Sequence, residues 1–361
     1  MLNGLNWFWR IAVACLWIGE CKAAPWKFAV LSDCRGVQTG TQGSTNGVRA
    51  SVLGPMASAM AADGVDLVIF PGDLVNGDRK YGTLEQQLRT WKVTMAPLYQ
   101  NHVEVYPCRG NHDTAQDRPP GKAVEVWRSA FPELPRNGPA EQDSLTYYVN
   151  HENACFIGFD QYAGRVKNLH GGKGQTVTYS GLIPSWVTRR IKDSQQQWVF
   201  VFGHAAGFIG HHQDSLGDVP TERDRMWDAL AERGGLYFCG HDHMYIRRTE
   251  AARSGRDVME LIVGCGGAPH YSYDNAHLNA HFDRHVVPVD LFVNAALPKD
   301  HGNKNTGGHP AYFGYVLITI DGAQLTGEWK AFVNYDYKHW AAPAAPEFKT
   351  LDSFNLRLPN P

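Results

Sequence analysis

Five segments of this 361-residue sequence end an apolar run in a polar cluster. They are A-V-L-S-D-C-R-G at 29–36, I-F-P-G-D-L at 69–74, P-C-R-G-N-H-D at 107–113, V-F-G-H at 201–204 and F-C-G-H-D-H at 238–243. The side chains they supply include Asp33, Asp73, Asn111, His112, His204, His241 and His243. Carboxylate and amide oxygens mixed with imidazoles suit divalent first-row metals such as Mn, Fe or Zn. No cysteine cluster has zinc-finger spacing. Glycine stands immediately before Asp73, Asn111, His204 and His241, which lets the chain turn sharply and brings backbone close to a ligand. In an extended chain, positions two apart face the same way, so Asp33 and Arg35 share a side, as do His241 and His243. A single Gly-Asp is most often a turn, and a single strand-end histidine is most often a satisfied polar residue. Five such endings in one chain point instead to one shared site.

The elements between these clusters must bring them together. F-A-V-L-S-D, D-L-V-I-F-P-G-D and E-V-Y-P-C-R-G-N-H-D read as short buried strands, separated by helical periodicity over 49–62 and a second helix starting near Thr83. This alternation predicts an α/β core with a partly parallel sheet, in which the carboxyl ends of the strands open onto the ligand crevice. Two strands turn about His151–Asn153, W-V-F-V-F-G-H and L-Y-F-C-G-H-D-H are further strands, and D-R-M-W-D-A-L-A-E-R-G-G is a helix stopped by glycine. A hairpin through Asp321-Gly322 follows. Parallel units thus come first and antiparallel strands last. Two stretches read as irregular: 266–310, a candidate loop over the site, and a Pro-rich tail at 341–361. The histidines of the first stretch, His270, His277, His281 and His285, are read as part of a solvated loop, with substrate or metal contacts as the alternative.

Composition narrows the function. Lys plus Arg is 34 against 36 for Asp plus Glu, so nothing suggests a nucleic-acid or anionic-membrane binder that works by bulk charge. Residues 1–23 have the form of an export signal: one cation at Arg10, the apolar stretch I-A-V-A-C-L-W-I-G, and small residues ending at Ala23. The expected location is periplasmic or secreted, with no stable membrane span after cleavage, an uncleaved anchor being the alternative. Outside this leader the cysteines are Cys34, Cys108, Cys155, Cys239 and Cys265. That odd number lacks a framework and reads as buried apolar-like residues, one disulfide after export being the alternative.

The ordered motifs G-D, G-N-H-D, G-H and G-H-D-H, preceded by the strand-end Asp33, resemble those of the calcineurin-like metallophosphoesterase superfamily over residues 33–243. The surrounding sequence, with W-R-S-A-F-P-E-L-P, looks most like exported members related to purple acid phosphatases. The resemblance implies an α/β fold of two mixed β-sheets packed face to face and flanked by helices, occupying residues 24–340. It implies two divalent cations, a small phosphorylated substrate, and hydrolysis by a hydroxide shared between the metals. Carried over, Asp73 is the bridging carboxylate, Asp33 and His243 hold the first metal, and Asn111, His204 and His241 hold the second. Asn111 also contacts substrate, His112 lies by the leaving group, and Asp113 orients His112 or caps the helix that follows.

The sequence departs from the pattern at two positions. Where the family often has a histidine two residues after the first aspartate, this chain has Arg35; where purple acid phosphatases have a tyrosine three residues after the Gly-Asp aspartate, it has Asn76. A guanidinium has no lone pair to donate to a metal. Arg35 is therefore expected to pair with a phosphate oxygen, or else to turn outward to an acid, and Asn76 to hold a turn, with a bond from its amide oxygen to the first metal as the alternative. Asp242 is expected to orient an imidazole or to solvate its turn. The extra cation favours a phosphomonoester over a diester. The rival reading is an exported, non-catalytic metal- or phosphate-binding protein with a degenerate first site.

Overall fold

The computed structural model describes residues 24–163, 182–208, 212, 215–270 and 312–358. Two six-stranded sheets form its centre. The first contains β1 (Trp26–Val30), β2 (Leu67–Pro71) and β3 (Glu104–Cys108), which run parallel. The second contains β4 (Tyr147–His151), β5 (Ala154–Gly158), β6 (Trp198–Phe202), β7 (Leu236–Cys239), β8 (Tyr245–Ala251) and β9 (Asp257–Val263), in the order β4-β5-β6-β7-β9-β8. The first sheet is completed by β10 (Gly314–Asp321), β11 (Gln324–Phe332) and β12 (Phe348–Arg357), giving the order β12-β11-β10-β1-β2-β3. Both sheets are mixed: β1 pairs antiparallel with β10, whereas β5, β6, β7 and β9 run parallel to one another.

The inner strands are continuous apolar runs because both faces are covered. Leu67–Pro71 and Trp198–Phe202 are buried throughout. Phe28 of the first sheet packs edge-on against Phe156 and at a tilt against Phe200 of the second, with centroids 4.9 and 5.0 Å apart. The main core therefore lies between the sheets. On the flank of the first sheet lie α1 (Ala50–Ala62), α2 (Leu84–Thr94), α3 (Ala96–Gln100) and α4 (Lys122–Ala130). On the flank of the second lie α5 (Leu182–Asp193) and α6 (Pro220–Arg233). α2 starts on a capping box in which Thr83 Oγ1 accepts from the Gln86 amide and the Gln86 side chain accepts from the Thr83 amide. α6 stops where Gly234 turns left-handed at φ 63°.

One expectation is corrected here. The segment after Trp340, read as an irregular tail, instead supplies β12, which pairs with β11 through residues 348–357. Its alternating burial buries Asp352 and Phe354. Asp352 accepts from Tyr245 Oη at 2.7 Å and from Arg247 Nε at 2.9 Å, and this ties the two sheets together at their edge. Prolines at 343 and 346 precede the strand and do not interrupt it. The five cysteines outside the leader are all free and buried. Of the 266–310 loop, residues 271–310 lie outside the described residues, with His277, His281 and His285 among them. His270 is buried and stacks on Phe313 at 4.4 Å. Among the described residues no helix is long and apolar enough to cross a membrane.

Candidate metal centre

The registers Val30↔Ile69 and Pro71↔Cys108 set the ends of β1, β2 and β3 side by side, and Phe202↔Phe238 does the same for β6 and β7. All five polar clusters emerge at one end of the paired sheets. Three of the candidate ligands then adopt left-handed backbone: Asp33 at φ 60°, Asp73 at φ 52° and His241 at φ 71°. Such conformations in non-glycine residues persist only when the surroundings impose them, and they gather at functional sites. The glycines let the turns close on one another. A Cβ at Gly110 would lie 2.2 Å from Asp73 Oδ1, and one at Gly240 would lie 2.2 Å from Asp33 Oδ2.

Hydrogen-bond direction shows which atoms are left for a cation. His204 Nδ1 lies 2.8 Å from the Pro71 carbonyl, which only accepts, so the proton sits on Nδ1 and Nε2 presents a lone pair. That lone pair faces Asn111 Oδ1 at 3.1 Å and Asp73 Oδ1 at 3.4 Å. Burial holds His204 near pKa 4, so the imidazole is neutral and able to ligate at pH 7. Asp33, Asp73 and His204, all buried, each offer a ligand atom within 4.8 Å of the others. Asp33 Oδ2 accepts from Ser32 Oγ at 2.7 Å and from the His241 amide at 2.9 Å, while the buried Oδ1 has no hydrogen-bond partner. Burial and the Asp73 charge push Asp33 up to about 8. For Asp73, burial pushes upward, but His204, His112 and Arg35 outweigh it and hold the group below the ordinary carboxylate range. Asp73 Oδ1 also accepts from the His112 amide at 3.0 Å, which leaves it a second lone pair. Converging acceptors, an orphaned carboxylate oxygen and neutral imidazoles fit a divalent cation.

The other half of the site is arranged differently. His243 Nδ1 lies 2.7 Å from the Pro269 carbonyl, so the proton sits on Nδ1 and Nε2 carries the lone pair, 3.6 Å from Asp33 Oδ1. Arg35 Nη2 sits 3.2 Å from that same Nε2, and Arg35 Nε lies 3.6 Å from Asp73 Oδ2. Burial, then the Arg35 charge, push His243 well below its usual pKa. Arg35, expected either to face substrate or to turn outward, points into the cluster. Its side chain keeps 20% of its exposure, so solutes in the cleft can still reach it.

The supporting residues differ in part from expectation. Asp113 does not orient His112. Its carboxylate, fully buried, accepts from the amides of Gly110 at 2.8 Å and of Leu74 and Val75 at 3.3 Å. It thereby pins the turns that carry Asp73 and Asn111. His112 is oriented instead by the Asn76 carbonyl, 2.6 Å from its Nδ1, and its Nε2 lies 3.9 Å from Asp73 Oδ2. Desolvation lowers His112 to about 4, with Asp73 opposing. Asn76 holds a turn, as expected: its Nδ2 donates to the Gly36 carbonyl at 2.7 Å.

Two supporting groups carry little sequence signal. His212, in G-H-H-Q, stacks on His241 at 4.0 Å, and its Nδ1 bonds Asp242 Oδ1 at 2.7 Å. Asp242 thus orients an imidazole, but one that sequence spacing did not single out. Arg109, inside R-G-N-H-D, forms a buried ion pair with Asp160, with Nε 2.6 Å from Oδ2. It locks the end of β3 to the loop after β5.

Two mixed sheets flanked by helices, with carboxylates, an amide and imidazoles at one end of the strands, define an α/β metallophosphoesterase fold and site. The family model for calcineurin-like phosphoesterases matches residues 27–245, and the chain belongs to that family. No curated protein sequence matches it. Its fold is similar to that of PhoD (TM-score 0.59, 15% identity, covering 93% of this chain and 70% of that one). It is also similar to a purple acid phosphatase from yellow lupin seeds (0.57, 13%, covering 93% of this chain and 54% of that one). A dimetal phosphatase from Danio rerio is a third neighbour (0.52, 13%, covering 85% and 96%). The chain therefore spans about half the length of the lupin enzyme. At these identities the likeness is one of fold.

Proposed function

We propose that this metallophosphoesterase hydrolyses small phosphomonoesters in preference to diesters, and that residues 1–23 direct its export. The observation that carries the reading is the convergence of three acceptors, His204 Nε2, Asn111 Oδ1 and Asp73 Oδ1, the last also accepting from the His112 amide at 3.0 Å. When bound there, a divalent cation supplies Lewis-acid polarisation of phosphoryl oxygens and activates water near neutral pH.

The chain's own residues do the rest. Asp73, Asn111 and His204 hold the cation, and Asp33 presents its free Oδ1 toward the same space. Arg35, at the cleft surface, offers N–H groups to a non-bridging phosphate oxygen; a dianionic monoester gains more from that charge than a monoanionic diester. His112 donates from Nδ1 to Asn76, so Nε2 is the atom that exchanges a proton with the leaving group. At rest it is neutral. An arriving phosphoryl dianion raises its pKa, so the acid form is favoured when substrate is present.

Asp73→Asn is the direct test. The variant is expected to lose metal, measured by elemental analysis, together with Mn-dependent hydrolysis of an aryl phosphate. Full activity in that variant would remove the proposed role of the site. Faster turnover of a bis-aryl diester than of the monoester by the wild type would overturn the substrate preference.

A further inference from the structure

The two halves of the centre are not equivalent, and Arg35 makes the difference. On one side, His204 Nε2, Asn111 Oδ1 and Asp73 Oδ1 face one another as acceptors, Asp73 Oδ1 also accepting from the His112 amide, with Asp33 Oδ1 buried and without a hydrogen bond nearby. On the other side, the His243 lone pair already meets a donor, Arg35 Nη2 at 3.2 Å. The second carboxylate oxygen of Asp73 faces the same guanidinium, 3.6 Å from Nε. Arg35 Nε is buried and makes no hydrogen bond, so the group is held by charge rather than by a separate network of its own.

We infer that Arg35 takes the place of one of the two cations, so that the centre holds a single divalent metal beside a permanent guanidinium. This rests on the reading of the site as a metal-dependent phosphoesterase. The physical case has three parts. First, a nitrogen lone pair is used once: a metal would bind His243 Nε2 at about 2.0–2.1 Å along the direction that the Arg35 N–H occupies. Second, the guanidinium stays protonated at every working pH, so it does not yield to a cation by losing its charge. Third, Asp33 and Asp73 bring two carboxylates to the site, and one divalent metal with one guanidinium already exceeds their charge. The metal is assigned to Asp33, Asp73, Asn111 and His204, the side where acceptors converge. Arg35 is assigned to His243 and the outer oxygen of Asp73, where it offsets the charge of that carboxylate and presents its remaining N–H groups to phosphate.

Metal counting tests this without reference to turnover. The full chain, stripped with chelator, reloaded with Mn(II) and desalted, is expected to retain one equivalent by elemental analysis. Its electron paramagnetic resonance spectrum should be the six-line signal of an isolated Mn(II). Arg35→His, which supplies a lone pair in place of a cation, should retain close to two equivalents and show an exchange-coupled multiline signal. Arg35→Ala serves if the histidine variant does not fold, and is expected to retain more than one equivalent. Two equivalents with a coupled spectrum in the wild type would overturn the inference and leave the metallophosphoesterase reading standing. No retained metal in a folded wild type would overturn both. One equivalent in the wild type and in both variants would show that Arg35 does not control occupancy, and would also overturn it.

Discussion

The metal-free protein should lose stability as pH rises from 7 to 8, and metal should abolish the loss. Burial and the Asp73 charge raise Asp33 from 3.8 to about 8. Between those values the unfolded chain has released this proton and the folded chain keeps it. Folding then takes up a proton, and stability falls by about 1.4 kcal/mol per pH unit from this group. Below about pH 7 the histidines act in the opposite sense. His112 and His204 are lowered to about 4 and His243 is also lowered, all chiefly by burial, so the unfolded chain binds the extra protons and stability falls as pH falls. From pH 7 to 8 the unfolded histidines are largely neutral, so the carboxylates dominate that window. Asp33 contributes a loss of about 1 kcal/mol across it, and Asp113, raised by burial and by Asp73, adds in the same direction. Urea unfolding in chelator at half-unit steps of pH measures the slope. Excess Mn(II) should flatten it, because Asp33 is then ionised in both states, and should add about 2.7 kcal/mol at a hundredfold excess over Kd. Asp33→Asn should reduce the slope without metal. A chelated protein whose stability is constant or rising across this window, or an Asp33→Asn variant with an unchanged slope, would refute the reasoning.

Two further outcomes are expected. Glu260 and Arg248 form a fully buried ion pair, and Glu260 Oε1 accepts from the Gly207 amide at 2.6 Å while Arg248 Nη2 donates to the Phe208 carbonyl at 2.8 Å. Because this pair anchors the segment after His204, Glu260→Gln should cost about 3–5 kcal/mol in urea unfolding, and adding Arg248→Met should recover part of it. His112→Ala should lower kcat by about 10²–10⁴ for alkyl phosphates, whose leaving groups need a proton, and by much less for nitrophenyl phosphate; an equal loss on both would exclude proton transfer through Nε2.

The sequence by itself determined the fold class and which polar residues stand at the strand ends. Apolar runs at 67–71 and 198–202 could only be buried strands, and polar residues directly after them had to sit at strand ends, because strand geometry and the glycine turns are local properties. β12 was less legible, since a half-exposed edge strand behind prolines carries a weak apolar signal. Only the tertiary structure decided how the side chains use their atoms. That Asp113 binds three amides and not His112, that His212 stacks on His241, and that Arg35 reaches His243 across 208 residues of sequence all depend on how the two sheets are packed. Spacing along the chain tells which side of a strand a residue faces. Which lone pair meets a proton, and which is left for a metal, follows from distances between segments remote in sequence, and these exist only once the sheets have closed on their common core.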